Sequence, residues 1–145
     1  MYRELIGELI AGHSWARLQE PCPESEIERA QTYIGYAFPD ALKALLRETD
    51  GDHWFLLSAQ EMIDQVKRNR EIMAEYFEPE EFLEKVDRHL FFASNGCGDY
   101  YCYRVAEDGS VNTDMIYIWE HELFETHPVA QTIPELIRRY YNNEI

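Results

Sequence analysis

Between Asp87 and Leu90 the apolar pattern of the chain changes period, and that change bounds what it can fold into. Before it, apolar residues recur at helical spacing: Leu5, Ile6, Leu9 and Ile10, then Ile27, Ala30 and Ile34, then Leu42, Leu45 and Leu46, then Met62, Ile63, Val66, Met73, Tyr76 and Phe77. After it come an apolar run, Leu90 to Ala93, a stretch rich in strand formers, Tyr100 to Val105, and an Asp108-Gly109 hairpin signal. The return strand, about Val111 to Trp119, puts Met115, Tyr117 and Trp119 on one face and Ile116 and Ile118 on the other. Both faces are apolar, so the strand is either covered on both sides, the reading put first, or buries its aliphatic face and shows its aromatic one. Ile133, Leu136, Ile137, Tyr140 and Tyr141 then return to the helical template. Helices, hairpin-linked strands and a closing helix predict an α+β fold with a mostly antiparallel central sheet flanked by helices.

Local signals divide the helical part. Gly12 stops the first helix, and Pro21-Cys22-Pro23 reads as a connector, so residues 1–22 form an N-terminal helix and link. Ser25 and Glu28 have the spacing of a capping box, and Gly35 ends that helix. Phe38-Pro39 opens the next one and Asp50-Gly51 closes it. His53 to Leu57 reads as a short strand, Ala59 to Phe77 as a helix that Pro79 stops or redirects, and Glu80 to Asp87 as a further helical turn. Thr132 and Glu135 form a capping box around Pro134. With 145 residues the chain fits a single domain, 1–145, large enough to bury about 70% of its unfolded surface without staples.

Acids outnumber bases 28 to 13, and from Glu71 onward there are 16 against 5, a net of -11 out of -15. Such a surface repels phosphate backbones and anionic lipid, so direct nucleic-acid or membrane binding is disfavoured and a basic protein partner is favoured over either, although charge by itself is explained more simply as keeping the protein soluble. Glu4 and Glu8 interrupt the apolar core that a secretory signal at the start would need, and the three cysteines, Cys22, Cys97 and Cys102, are an odd set; together these predict thiols in a reducing cytoplasm.

The densest recognition chemistry lies in Asn95-Gly96-Cys97-Gly98-Asp99-Tyr100-Tyr101-Cys102-Tyr103 and Trp119-Glu120-His121-Glu122. It lacks the spacing that catalysis requires. A zinc-protease helix needs its second histidine four residues after the first, where this chain has Glu125, and His127 precedes Pro128. Cys97 and Cys102 match neither a redox pair nor a zinc knuckle, and Gly96 and Gly98 lack the remainder of a phosphate-binding fingerprint. Glu78, Glu80, Glu81, Glu84 and Asp87 make the densest acidic patch, with Glu80 and Glu84 on one helical face.

An ordered set of segments carries a family resemblance: Ser25-Glu26-Ile27-Glu28, Phe38-Pro39-Asp40-Ala41-Leu42 through Leu46, Asp50-Gly51, Gly96-Cys97-Gly98-Asp99-Tyr100-Tyr101, Trp119-Glu120-His121-Glu122, and Ala130 through Ile137. The chain resembles the SUKH superfamily, the Smi/Knr-like fold of bacterial immunity proteins and fungal cell-wall regulators. The resemblance covers about Ser25 to Tyr141 and departs from the usual pattern at Cys97, at Thr132-Ile133 and in the stretch from Lys67 to Asp87. It implies a non-enzymatic domain that uses no cofactor or metal and binds a cognate protein toxin, often a basic nuclease. Candidate contact residues are Asp99, Tyr100, Tyr101, Trp119, Glu120, His121 and Glu122, with Glu80, Glu81 and Glu84 as the acidic patch. A regulatory adaptor that neutralises nothing is the alternative, and a small metal-dependent hydrolase using His121, Glu122 and Asp99 is a third reading.

Overall fold

The computed structural model describes residues 1–13 and 15–145. Helices α1 (Tyr2–Ile10), α2 (Glu24–Ile34), α3 (Asp40–Glu48) and α4 (Ala59–Ile72) come first, then a 3-10 turn (Met73–Tyr76), the one-turn α5 (Pro79–Phe82) and a π-helical turn (Leu83–Asp87). Strands β1 (His89–Ser94), β2 (Tyr100–Arg104), β3 (Ile116–Glu120) and β4 (Glu125–Ala130) follow, and α6 (Ile133–Tyr141) closes the chain. The strands form one antiparallel sheet in sequential order. The domain is α+β, as the period change predicts.

Side-chain alternation gives the sheet two apolar faces. One, with Leu90, Phe92, Tyr101, Tyr103 and Ile116, packs on a core shared with Ile6, Ile27, Leu42, Met62 and Leu136 of the helices. The other, with Phe91, Cys102 and Trp119, is roofed by Phe82 of α5 and Val86 of the π turn. β3 is therefore covered on both sides, its isoleucines facing the main core and Tyr117 and Trp119 the smaller one. A bulge in β1 between Phe91 and Ala93 adds a residue opposite the Cys102–Tyr101 step, which is how Phe92 and the adjacent Ala93 both reach the main core.

Arg70 fixes the roof. Its guanidinium donates to the Tyr33 carbonyl at 3.0 Å and the Ile34 carbonyl at 2.6 Å at the end of α2, and Nε reaches Asp87 Oδ1 at 2.9 Å. A cation there satisfies carbonyls that the helix leaves without partners.

Several boundaries differ from the sequence expectations. No side chain caps α2: Pro23 is its N-cap, the amides of Glu26 and Ile27 bond to the Pro23 carbonyl, and Ser25 lies inside the first turn. The long helix expected to Phe77 ends at Ile72 and tightens into the 3-10 turn, while its start is set by a reciprocal Ser58–Glu61 capping box. His53 to Leu57 is not a strand but a loop with one bridge, Leu56 to Ala93. The cause is Asp52, whose Oδ1 accepts the amides of Trp54, Phe55 and Leu56 at 3.0, 2.7 and 2.8 Å and so curls the backbone. His53 adopts φ 65° there, and Gly51 is required because a Cβ would meet Leu56 O at 2.8 Å.

The Asp108-Gly109 turn forms, with Val105 bridging Val111, but regular β3 begins only at Ile116 because Asn112 Oδ1 takes the Asp114 amide into a second turn. β4 has no counterpart in the sequence reading. Its mostly exposed Glu125-Thr126-His127-Pro128 stretch carries little strand signal, yet it pairs along β3 as an edge strand, where proline is tolerated.

Candidate partner-binding site

The β1–β2 loop is built by side chains that capture their own backbone. Asn95 Oδ1 accepts the amides of Cys97 at 2.9 Å and Asp99 at 3.3 Å, and Ser94 Oγ accepts that of Gly96 at 3.0 Å. Gly98 takes φ 97°, and the imidazole of His121, from the turn after β3, lies against it so closely that a Cβ would sit 3.0 Å from Nδ1. Asp99 Oδ1 accepts both the His121 backbone amide at 3.0 Å and Nδ1–H at 2.7 Å. This assigns the proton to Nδ1 and leaves Nε2 toward solvent.

Partial burial tends to raise the Asp99 carboxyl, but the bonds from His121 and Asn95 outweigh it and hold Asp99 below the usual carboxylate range. The hydrogen bond to Asp99 lifts His121 above the usual histidine range, with Glu122 adding a smaller push. The sequence separation between Asp99 and His121 is 22 residues, so only the sheet register joins them.

The ten candidate contacts fall into three settings. Asp99, Glu120, His121 and Glu122 lie at one end of the sheet and reach solvent. Glu80, Glu81 and Glu84 lie along α5 and the π turn, where Arg88 approaches Glu80 at 3.3 Å and Lys85 approaches Glu81 at 3.8 Å. Glu84 borders a hollow of about 310 Å³ with Arg88, His89 and Arg104. The acidic patch is thus partly neutralised by its own bases.

Trp119 and Tyr101 are corrected. They are 2% and 1% exposed, Trp119 donating its indole N–H to the Lys85 carbonyl at 2.8 Å and Tyr101 meeting Phe55 edge to face. An aromatic on an inner strand with helices over both faces has no route to a partner, so these two finish the core and do not act as surface anchors. Tyr100 is half-buried, its hydroxyl donating to Gln65 Oε1 at 2.6 Å.

Chemically the dyad of Asp99 and His121 resembles the orienting half of a general-base pair. Glu122, the third residue of the hydrolase reading, is exposed beside it. His127 is 3.7 Å from Glu120 and 3.9 Å from Glu125. Among the described residues no group of three or more His, Cys, Asp or Glu side chains is arranged to hold a metal ion. Cys22, Cys97 and Cys102 are free thiols, with Cys97 exposed in the loop and Cys102 buried in β2.

The structure also brings out aromatics that the sequence reading passed over. Trp15 and Trp54 are 45% and 53% exposed, with ring centroids 5.5 Å apart. The signal available in sequence was Asp52 before Trp54, an acid able to turn the backbone and push the next side chain but one outward.

Among the described residues no helix is long and apolar enough to cross a membrane. No curated protein matches the chain. A family model described as SMI1 / KNR4 family (SUKH-1) matches residues 21–139, from the connector before α2 almost to the end of α6 and including the hairpin and the Asp99–His121 junction. With that span covering most of its length, the chain belongs to the SMI1 / KNR4 family (SUKH-1).

Proposed function

We propose that this chain is a non-catalytic, cytoplasmic immunity protein that binds and neutralises a basic, nuclease-type protein toxin in bacteria. The observation that carries the reading is the excess of carboxylates in a chain of net charge -15, exposed at Glu122 and along Glu80, Glu81 and Glu84 and partly exposed at Asp99 and Glu120. A nuclease presents a basic surface where it grips nucleic acid, and an acidic inhibitor covers that surface by charge complementarity, with fast association that weakens in salt. Membership of a family that includes immunity proteins supports the same reading. In this role Asp99 and His121 hold the loop in one shape, which lowers the entropy cost of docking.

The test is protection. The chain is co-expressed with the toxin encoded next to it, and the purified pair is assayed for complex formation. Growth rescue with a stable complex supports the proposal. Absence of both binding and protection overturns it.

A further inference from the structure

The surface over the Asp52-held loop combines exposed aromatics with unneutralised acid. Curling of the backbone by Asp52 buries Phe55 completely and leaves Trp54 facing out. Trp54 borders a hollow of about 410 Å³ that also touches Tyr100, Glu61, Asp64, Arg68 and Ser94. Glu61 is shared with an adjoining hollow of about 630 Å³ that adds Glu20 and Asp50, and Trp54 with a smaller one of about 150 Å³ that adds Trp15 and Tyr140. Four carboxylates therefore line this trough against one guanidinium. That guanidinium is held at the Tyr100 end, where Arg68 Nη1 donates at 3.1 Å to the Gln65 Oε1 that Tyr100 also uses. Glu61 Oε1 is occupied by the Ser58 amide and Asp64 Oδ1 by Gln60, which leaves each acid a second oxygen.

We infer that Trp54 and Trp15, with Glu61 and Asp64 as counter-charges, form a seat for an arginine side chain of the basic partner, an inference that rests on the proposed function. A guanidinium is planar and weakly hydrated, so it stacks on an indole face while donating to carboxylates at its edge. Lysine, strongly hydrated and without a flat face, fits less well. The seat is preorganised because the Asp52 bonds and the Ser58–Glu61 box set its walls before anything binds.

The chain has three tryptophans, Trp15 and Trp54 in the seat and Trp119 in the core, so their indole N–H resonances report directly. The probe is the peptide acetyl-(Gly-Arg)3-amide, titrated beside its uncharged citrulline counterpart. The expected result is saturable movement of the Trp15 and Trp54 signals with the arginine peptide, none at Trp119, and little with citrulline. Trp54→Ala weakens binding roughly two- to fivefold, the range of an exposed cation–π contact. Glu61→Gln with Asp64→Asn weakens it further and flattens its salt dependence, and the glutamine keeps the capping box. Still Trp15 and Trp54 signals, or equal movement with citrulline, overturn the seat. If Trp54→Ala leaves toxin binding and protection intact, the seat falls while the immunity reading stands. If the arginine peptide moves both signals but the chain does not protect, the reverse holds.

Discussion

The hydroxyl of Tyr141, in the last turn of α6, donates to Oδ2 of Asp52, a carboxylate fully shielded from solvent whose Oδ1 already holds three backbone amides. One acid thereby fixes a loop and clamps the terminal helix, across a sequence separation of 89 residues. Removing the hydroxyl with Tyr141→Phe leaves a buried acceptor short of one donor and costs about 1–3 kcal/mol. Asp52→Ala takes the acceptor away from three backbone amides as well and costs more than Tyr141→Phe. Urea denaturation checks both: a midpoint unchanged in Tyr141→Phe denies the clamp.

His89 gives the fold a pH dependence. Its side chain is buried, Nδ1–H donates to the Val86 carbonyl at 2.9 Å, and desolvation, helped by Arg104, lowers its pKa to about 4. The neutral form is thus favoured in the folded state. Its contribution is complete above the usual histidine pKa of about 6.5 and is lost as pH falls toward 4, a swing of about 3 kcal/mol. His89→Phe should flatten stability against pH between those values. Equal slopes in the two proteins would show that other groups drive acid unfolding.

The elements were legible where burial and local signal agree. α1, α3, α6 and the first two strands follow from apolar spacing, because their stripes are what the core contains. Trp119 was ambiguous since tryptophan suits cores and interfaces alike, and only the roof of Phe82 and Val86 decides it. β4 was invisible because an edge strand is specified by its neighbour: Thr126 pairs with Trp119 and Pro128 with Tyr117, relations that no local pattern encodes. The Asp99–His121 pair needed the register of β2 and β3, which sets Tyr100 opposite Trp119 and so brings the residues flanking them together. The Trp15–Trp54 pair joins two distant segments, one that reads in sequence as a link and one that reads as a short strand, and neither local pattern points to the other.

Trp119→Ala tests the correction at β3. It removes a buried indole next to Phe91 and Phe124 and leaves the Lys85 carbonyl without its donor, at a cost of about 3–5 kcal/mol. Glu122→Gln, at an exposed position, should change stability by less than about 0.5 kcal/mol. Comparable small effects of the two in chemical denaturation would return Trp119 to the surface.

Asp99→Asn separates charge from shape at the loop. The amide keeps an oxygen that can accept from His121 but loses the negative charge that lifts the imidazole. With charge present, His121 is raised, so its share of the pairing is complete below the usual histidine pKa and fades as pH climbs through the raised value. Asp99 is lowered, so its share is complete above the usual carboxylate pKa and fades only as pH falls through the lowered value. The ion pair is therefore fully formed between about pH 4 and 6.5. In Asp99→Asn the His121 ring signals, followed by NMR against pH, should titrate back toward the usual histidine value. Gly98→Ala should perturb the same signals by another route, since φ 97° strains a side chain there and its Cβ presses on the imidazole. A His121 titration identical in wild type and Asp99→Asn would mean that the 2.7 Å contact carries no charge coupling, and the loop would then be held by Asn95 and Ser94 alone.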